Sequence, residues 1–275
     1  MTAEIGDYLT AAWDAATAAG TLIRQQWQQP KLVDYKGAID LVTSVDRESE
    51  RRIVDLLRKK FPGHSILAEE ETDLVGTQAS HRWIIDPLDG TTNFAHGYPQ
   101  FCVSLALERD GEVIMGLVYD PLRPERFQAV KGQGATLNGD PIRISSVTEL
   151  DRALLATGFP YDQRDKADFY LAFFKAFITR AQGIRRNGSA ALDLCYVACG
   201  RLDGFWELKL RPWDTAAGTL IVEEAGGRLS DLSGNPFSIW GEETLASNGA
   251  IHEAMVNAAM TAKIHRPVDS KMTEC

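Results

Sequence analysis

The feature that most constrains the fold of this chain is the string Trp83-Ile-Ile-Asp86-Pro87-Leu88-Asp89-Gly90-Thr91-Thr92-Asn93. The apolar run before Asp86 predicts a buried strand, and Pro87 ends its regular pairing because proline donates no backbone hydrogen bond. Asp89 follows closely, so we expect the two carboxylates to converge at the end of the strand. Gly90 permits close backbone approach, and Thr91-Thr92 can begin a helix whose free N–H groups face an anion. The string therefore predicts oxygen ligands for Mg²⁺ or Mn²⁺ beside a phosphate cradle.

A purely structural interpretation of the same turn competes with this one. An Asp-Gly dipeptide after a strand is usually a turn in which the aspartate caps the next helix. That interpretation accounts for one aspartate and one glycine, but not for a second carboxylate and two threonines. We therefore favour a ligand-binding turn, in which the carbonyl of Leu88 is a further oxygen ligand because it has no obvious partner in a sheet.

Two further carboxylates follow strand-like segments elsewhere in the chain. Glu69 comes directly after an apolar run, and Asp214 comes after Arg211-Pro212-Trp213. Taken singly, an acidic cluster after a strand is typical of a solvated loop, and Asp214 is typical of a helix cap. Together with the two aspartates of the turn, they supply the number of carboxylates that hold two divalent ions about 3.5–4 Å apart.

Charge and composition exclude several other classes of function. The chain has 275 residues, with 29 Lys and Arg against 38 Asp and Glu, so its net charge is −9. We expect no nucleic-acid partner, because binding to phosphate backbones requires a basic surplus. An anionic small substrate is compatible with this charge where metal ions invert it locally. No apolar run reaches the roughly 18 residues of a membrane span and no signal peptide is visible, so we expect a cytoplasmic protein with no membrane partner and reduced thiols.

Hydrophobic periodicity predicts two N-terminal helices, one from Ile5 to just before Pro30 and one from Val45 to Phe61. The strands predicted next are Ser65–Ala68, Trp83–Asp86, Phe101–Leu107, Val113–Tyr119 and Arg126–Val130, with Asp110-Gly111 and Asn138-Gly139 as hairpin turns. The later helices are predicted at Lys166–Arg180, Ser189–Gly200, Trp213–Ala225 and Ile251–Lys263, alternating with strands at Phe205–Leu208 and Thr244–Ser247. We therefore predict an α/β protein. Residues 1–146 form an N-terminal α+β domain with an antiparallel-looking sheet and most metal ligands, residues 147–265 form a C-terminal α/β domain, and residues 266–275 form a frayed tail.

Other catalytic signatures fail on their structural context. Cys195 and Arg201 have the spacing of cysteine-dependent phosphatases, but Cys195 is predicted in mid-helix, which favours a buried structural cysteine. Asp86 and Asp89 are three positions apart, whereas haloacid-dehalogenase-type phosphatases need two. The chain contains neither a phosphate-binding P-loop string nor a dinucleotide-binding glycine string. Its five histidines form no ligand-spaced pair, and we expect His96 to be a solvated loop residue.

Four motifs in order resemble the signatures of the inositol monophosphatase family. They are Asp40-Leu-Val-Thr-Ser-Val-Asp46, Ala68-Glu69-Glu70, Trp83–Asn93, and Trp213-Asp214-Thr-Ala-Ala-Gly218 followed by Glu223-Glu-Ala-Gly-Gly227. The similarity runs from about Lys36 to Ser247. The acidic motif departs from the Gly-Glu-Glu-Ser that is frequent in the family, so Glu69 is chosen as a ligand by its position. The resemblance implies a layered αβαβα sandwich of the sugar-phosphatase type and a homodimer.

The resemblance also implies a role for each motif residue. The first Mg²⁺ would be held by Glu69, Asp86 and the Leu88 carbonyl, and the second by Asp86, Asp89 and Asp214. Two or three Mg²⁺ ions, or Mn²⁺, are expected in each site. Thr91, supported by Asp46, would orient the attacking water, and Glu69 would accept its proton. The N–H groups of Gly90 and Thr91 would hold the phosphate. The alcohol part of the substrate would contact Asp89, Gly188, Ser189, Ala190, Glu207 and Asp214.

The activity implied by the resemblance is a Mg²⁺-dependent, lithium-sensitive phosphomonoesterase acting on myo-inositol 1-phosphate or a related polyol or sugar phosphate. Fructose-1,6-bisphosphatase, histidinol-phosphatase and 3′-phosphoadenosine-type phosphatase activities stay open as alternatives within the family. A regulatory binding protein that retains the fold is the alternative from another class. Such a protein would be expected to have lost a ligand, and this chain keeps all of the motif ligands.

Overall fold

The computed structural model describes residues 2–29, 33–35 and 41–264. Pro30, Asp40 and the predicted tail at 266–275 lie outside the described residues. The helices are α1 (Thr2–Gln26), α2 (Ser44–Lys60), α3 (Thr91–His96), α4 (Ala167–Ile178), α5 (Ala190–Ala198), α6 (Pro212–Glu224) and α7 (His252–Ile264). The strands are β1 (Val33–Tyr35), β2 (Leu41–Thr43), β3 (His64–Ala68), β4 (Asp73–Leu74), β5 (Gln78–Asp89), β6 (Cys102–Arg109), β7 (Glu112–Asp120), β8 (Glu125–Val130), β9 (Ala135–Leu137), β10 (Asp140–Pro141), β11 (Leu154–Thr157), β12 (Gly183–Arg185), β13 (Gly204–Leu208), β14 (Arg228–Ser230) and β15 (Glu243–Ser247).

The two N-terminal helices form where periodicity predicts them and cover one face of the first sheet. Helix α1 packs through a stripe of small residues, among them Ala12, Ala16 and Ala19, which are fully buried. Helix α2 begins at a side-chain cap, because the Thr43 hydroxyl accepts the N–H of Val45 at 3.1 Å. Both helices contribute to a core that includes the innermost side chains of β3, β5, β6 and β7.

The first sheet has eight strands in the order β10-β9-β8-β7-β6-β5-β3-β4. Its two predicted hairpin turns are confirmed: Asp110 and Gly111 have φ values of 54° and 83°, and Asn138 and Gly139 have 54° and 90°. Two successive positive φ values belong to the turn type that matches strand twist, and Asp-Gly and Asn-Gly adopt it readily. The prediction of an antiparallel sheet is wrong at one pair, since β3 and β5 are parallel. The short strand β4 pairs antiparallel with the other edge of β3. The chain therefore reverses direction twice between β3 and β5, and β5 runs in the same direction as β3.

The second sheet has five strands in the order β12-β11-β13-β15-β14, with β12, β11 and β13 parallel. Helices α5 and α6 lie between the two sheets and share one core with both. Helices α4 and α7 cover the outer face of the second sheet, where Phe177 stacks on Trp206 with ring centroids 3.9 Å apart. The layers are therefore helices, sheet, helices, sheet, helices, which confirms the predicted α/β sandwich.

Several short strands, among them β1, β2, β4 and β11, were not indicated by the sequence pattern. They have two to four residues each, too few to show an alternation of apolar and polar positions. The chain passes from the first sheet to the second between Pro141 and Leu154. The division into two domains at residue 146 stays a prediction. No helix in the described part of the chain is both long and apolar enough to cross a membrane.

Candidate active site

Strand β5 delivers two carboxylates to one point through an irregularity in its pairing. The register of β5 against β6 shifts between Asp86 and Asp89, where the strand contains Pro87. The Asp86 side chain folds back to accept the N–H of Leu88 at 3.0 Å. Asp86 and Asp89 are buried, with 1% and 9% of their surface exposed. The predicted convergence of the two aspartates at the strand end is therefore built into a local distortion of β5.

Gly90 makes the sharp turn from β5 into helix α3. Its φ of 95° lies in the left-handed region. A Cβ atom at this position would lie 2.8 Å from the carbonyl oxygen of Gln100. Both the conformation and the space therefore require glycine here.

Most of the predicted site residues line a single cavity of about 920 Å³. The predicted residues in its wall are Glu69, Asp86, Leu88, Asp89, Gly90, Thr91, Gly188, Ala190, Glu207 and Asp214. Asp46 and Ser189 are not in the wall, and both are almost completely buried. The cavity thus collects side chains from both sheets and from the starts of α3 and α6.

Asp46 lies behind Thr91 and holds its hydroxyl group. The Thr91 Oγ1 donates to Asp46 Oδ1 at 2.7 Å and also lies 3.0 Å from the Leu88 carbonyl oxygen. The other carboxylate oxygen of Asp46 accepts the backbone N–H of Thr43 at 2.9 Å and the Thr43 hydroxyl. Burial raises the pKa of Asp46, and these hydrogen bonds partly offset that effect. The Leu88 carbonyl thus has a partner, yet a carbonyl oxygen has two lone pairs and can still bind a cation.

Asp89 is held from behind by the second half of the chain. Its Oδ2 accepts the Ser189 hydroxyl at 2.6 Å and the N–H of Ala191 at 2.9 Å. The Cys102 Sγ lies 3.7 Å from the same oxygen. Ser189 is the N-cap of α5, so the first turn of that helix is attached directly to the acidic turn after β5.

The cavity carboxylates are held close enough to raise one another's pKa. The pKa of Asp86 lies well above its usual range, because of burial first and then the charges of Glu69, Asp89 and Asp214. Burial also raises the pKa of Asp214, with Glu69 as the next cause. The N–H of Arg211 donates to Asp214 Oδ2 at 2.6 Å and opposes this shift. The site therefore concentrates negative charge where desolvation makes it costly.

These carboxylates fit hard cations by their chemistry. Within the described ranges, neither Lys nor Arg forms an ion pair with Asp86, Asp89 or Asp214. Buried carboxylates that repel one another and lack a basic partner are stabilised by a divalent cation, and oxygen donors suit Mg²⁺ or Mn²⁺. Across residues 2–29, 33–35 and 41–264, however, no three His, Cys, Asp or Glu side chains lie close enough to form a complete ligand set. The carboxylates share one cavity without forming a closed coordination sphere.

Glu207 and Asp193 are two further buried carboxyls, and the charge of Asp89 acts on both. Burial raises the pKa of each to about 8, and the nearby charge of Arg186 opposes the shift. Asp193 accepts the Asn187 side-chain amide at 2.6 Å. Asn187 in turn offers its carbonyl oxygen to the Asn93 amide at 2.8 Å. A chain of polar contacts thus joins the string after β5 to the start of α5.

Sequence reasoning missed several residues of the cavity wall. The missed residues are Asn93, Phe159, Pro160, Tyr161, Asp162, Gln163, Arg164, Arg186, Leu208, Lys209, Leu210, Arg211 and Trp213. Asn93 could have been found, since it directly follows the polar residues Gly90, Thr91 and Thr92 of the turn. The loop after β11 carries no such signal, and it is anchored by contacts that Asp162 makes with Lys209 at 2.5 Å and with the Tyr170 hydroxyl at 2.6 Å.

The competing cysteine signature is excluded by its place in the fold. Cys195 lies in the middle of α5 and is completely buried. Burial raises the pKa of its thiol well above the ordinary value. A phosphate-binding cysteine needs the opposite environment, at the start of a helix and with a lowered pKa. His96 is exposed and is not part of the cavity wall, as predicted, but it is the last residue of helix α3 and not a loop residue.

Comparison with known proteins extends the similarity beyond the motifs. The sequence model of the inositol monophosphatase family matches residues 6–265 of the chain. The Nus factor SuhB of Salmonella typhimurium is 46% identical over 250 residues, which cover 90% of this chain and 94% of that protein. The inositol-1-monophosphatase of Synechocystis sp. is 44% identical over 256 residues, covering 93% and 89%. The crystal structure of extragenic suppressor protein suhB from Bartonella henselae superposes with a TM-score of 0.89 at 39% identity, covering 92% and 98%. The likeness therefore spans both sheets.

Proposed function

The chain belongs to the inositol monophosphatase family, and from this premise we propose that it is a Mg²⁺-dependent phosphomonoesterase. The observation that carries the proposal is the convergence of Glu69, Asp86, Asp89 and Asp214 on one cavity. Four carboxylates that line one cavity are suited to a pair of divalent ions. The cavity also contains Gly90 and Thr91 at the start of α3, whose N–H groups we assign to the substrate phosphate.

The proposed mechanism assigns each side chain a task. Mg²⁺ bound by Glu69, Asp86, Asp89, Asp214 and the Leu88 carbonyl would lower the pKa of the attacking water and offset the charge of the phosphate. Thr91 donates its only hydroxyl hydrogen to Asp46 or Leu88, so its lone pairs stay free to accept a hydrogen bond from that water. Glu69 accepts the proton of the water as the phosphate is attacked in line. The reaction passes through no phosphoenzyme.

We place the alcohol part of the substrate against Glu207, Gly188 and Ala190, which face the same cavity. Since burial raises the pKa of Glu207 to about 8, its carboxyl group can donate as well as accept a hydrogen bond at neutral pH. The hydroxyl groups of a polyol can both accept a hydrogen bond from this carboxyl group and donate one to it. We propose myo-inositol 1-phosphate as the first substrate, in keeping with the name of the Synechocystis relative.

The cavity wall also supplies a reason to test larger substrates. Arg164, Arg186 and Arg211 line the cavity, and none of them forms an ion pair with another described residue. A guanidinium group without a carboxylate partner can bind a second phosphate. Fructose 1,6-bisphosphate and 3′-phosphoadenosine-type nucleotides, which carry a second phosphate, therefore belong in the same comparison as the inositol phosphate. Histidinol phosphate, which has a single phosphate, is included as the remaining alternative within the family.

The test is phosphate release from this panel, with and without Mg²⁺. We expect Mg²⁺-dependent release with the highest kcat/KM for myo-inositol 1-phosphate. Release that does not depend on a divalent ion would contradict the proposed site. A higher kcat/KM for a bisphosphate would support the proposed metal-dependent hydrolysis but would show that myo-inositol 1-phosphate is not the preferred substrate.

A second candidate function is favoured by one finding, the name Nus factor SuhB carried by relatives at 46% identity. We propose that this chain can also act as a binding protein in that capacity, without using its phosphatase chemistry. The test is complementation of a bacterium that lacks its own SuhB. Growth restored equally by the wild-type chain and by the Asp89→Asn variant would support the binding role, whereas growth that requires Asp89 would contradict it. We also propose a cytoplasmic location, where the cysteines Cys102, Cys195 and Cys199 stay reduced.

A further inference from the structure

Ser189 occupies a different place from the one expected of a substrate contact. Its neighbours Gly188 and Ala190 line the cavity, but Ser189 does not. Only 1% of its surface is exposed. Its hydroxyl donates to Asp89 Oδ2 at 2.6 Å, a short hydrogen bond to a carboxylate. Ser189 therefore faces the back of Asp89 and not the space where the substrate would lie.

The Ser189 hydroxyl is one of three donors that meet the same carboxylate oxygen. The N–H of Ala191 donates to Asp89 Oδ2 at 2.9 Å, and the thiol of Cys102 lies 3.7 Å from it. The Cys102 thiol is also 3.7 Å from the Ser189 hydroxyl, so the group is packed together. The backbone N–H of Ala190 also forms a hydrogen bond with the Asp89 carboxylate. Because Oδ2 accepts from the Ser189, Ala191 and Cys102 donors, we assign Oδ1 to the cation.

A carboxylate without such donors would not keep one orientation. The last torsion of an aspartate side chain has broad, roughly two-fold preferences, so rotation exchanges its two oxygens at low cost. The Ser189 and Ala191 donors come from the start of α5 in the second half of the chain, whereas Cys102 begins β6 and Asp89 ends β5 in the first sheet. The Ser189 hydroxyl also accepts the N–H of Leu192 at 3.4 Å as the cap of α5. The orientation of the Ser189 hydroxyl is therefore fixed by two hydrogen bonds, one that it donates to Asp89 and one that it accepts from Leu192.

We propose that Ser189 is a positioning residue, which orients the Asp89 carboxylate for a divalent cation through a hydrogen bond from the second half of the chain. The proposal deepens the proposed function and rests on it, because it assumes that Asp89 binds the cation. Groups that hold a metal ligand from behind typically change metal affinity about 10–100-fold when removed. Ser189 acts through Asp89 and makes no contact with the substrate.

The test compares Ser189→Ala with wild type and with Ser247→Ala as a matched control. Ser247 is equally buried and its hydroxyl is also hydrogen-bonded, to His252 at 2.8 Å, but it is not part of the cavity wall. Two quantities are measured for each protein: the Mg²⁺ concentration for half of the thermal stabilisation without substrate, and that for the half-maximal rate of phosphate release. If Ser189→Ala does not fold, Ser189→Gly replaces it, since glycine at a helix N-cap keeps most of the capping stability.

We expect the Ser189 variant to need about 10-fold more Mg²⁺ in both measurements, and the Ser247 variant to need the wild-type concentration even where its melting temperature falls. Unchanged Mg²⁺ midpoints in the Ser189 variant would overturn the proposal. So would a higher KM for the substrate at saturating Mg²⁺ with unchanged midpoints, which would make Ser189 a substrate contact. Failure of the proposed function itself looks different, because wild type would then release no phosphate in response to Mg²⁺.

Discussion

At the scale of single residues, the cavity brings several buried carboxylates close together. Asp86 and Asp89 end the same strand and are buried, and Asp214 adds a third carboxylate from the start of α6. Burial and mutual repulsion raise the pKa of Asp86 and Asp214 well above the ordinary range. Such an arrangement costs stability in the free protein and is typical of functional sites.

The Asp89→Asn variant tests a carboxylate that the second half of the chain holds in place. The amide keeps the shape of the side chain but removes a negative charge from the second proposed ion position, so we expect turnover to fall by about 100-fold or more. Phosphate release at saturating substrate is the measurement, with Asp165→Asn, an exposed residue outside the cavity, as the control. Near-normal turnover of Asp89→Asn would refute the proposed role.

We expect the folded protein to lose stability in mild acid because two of its histidines are buried. Burial lowers the pKa of His64 and of His252 from 6.5 to about 4. The folded protein therefore favours the neutral ring, so this stability is fully present above pH 6.5 and is lost as the pH falls towards 4. At pH 5 each histidine is expected to cost about 2 kcal/mol of unfolding free energy.

The measurement is urea unfolding of wild type and of His252→Gln at pH 7.5 and pH 5. The variant lacks one titrating ring, so its stability should fall less between the two pH values than that of wild type. His96 is exposed, and His96→Gln should follow wild type at both pH values. Equal losses in wild type and in His252→Gln would show that His252 does not titrate as expected.

At the scale of elements, helix α6 connects the packing of the core to the site. The helix starts beside Asp214 and lies across β5, β6 and β7 of the first sheet. It approaches β7 closely at Gly116, where a Cβ atom would lie 2.8 Å from the Cα and carbonyl oxygen of Ala217. The position of Asp214 therefore depends on a glycine in a strand that carries no proposed site residue.

Gly116→Ala should displace α6 from the sheet. We expect a loss of about 1–3 kcal/mol of unfolding free energy, as for other overpacked cores, together with a lower kcat. Gly6→Ala is the matched control, because Gly6 lies in α1 with no atom within 4 Å of the added Cβ, and alanine there should add about 0.5–1 kcal/mol. Denaturant unfolding and phosphate release measure the two effects. Unaltered stability in Gly116→Ala would mean that the helix adjusts freely.

At the scale of the whole molecule, the site lies where the two sheets and their shared helices meet. Glu69, Asp86 and Asp89 belong to the first half of the chain, whereas Glu207 and Asp214 belong to the second. A cation bound between them would hold the halves together and relieve their repulsion. Ligand binding to the folded state alone stabilises it in proportion to the logarithm of ligand concentration.

Mg²⁺ should therefore raise the melting temperature even without substrate. At 100 times the dissociation constant the expected gain is about 2.7 kcal/mol. Thermal unfolding with MgCl₂ is compared with KCl at equal ionic strength, and Asp214→Asn should show a smaller gain because it removes one charge from the site. A melting temperature that responds equally to both salts would contradict a specific cation site.

Lithium should inhibit the proposed phosphatase activity, as the family resemblance implies. Asp86, Asp89 and Asp214 would surround an ion that leaves with the product, and Li⁺ has a size close to that of Mg²⁺ with half the charge. We expect uncompetitive inhibition with respect to substrate, measured by steady-state kinetics at saturating Mg²⁺ with LiCl against KCl. Competitive inhibition would mean that Li⁺ enters before the substrate, and product trapping would then be wrong.

The sequence by itself determined the elements and turns whose signals lie within a few residues. The periodicity of α1 and α2, the Asp-Gly and Asn-Gly hairpins and the strand-to-helix turn at Gly90 each depend on local conformational preference, and each is found where it was predicted. The family's motifs indicated the ligand candidates for the same reason, since each motif is a short string.

Only the tertiary structure decided which distant residues meet and which way they face. The parallel pairing of β3 with β5, the place of Ser189 behind Asp89 and the anchoring of the loop after β11 depend on contacts between residues far apart in the chain. A residue's type and its neighbours in sequence do not specify such contacts, because they result from how whole elements pack against one another. Ser189 shows the difference: the family resemblance assigned it to the substrate, whereas in the fold its hydroxyl donates to Asp89 and it does not line the cavity.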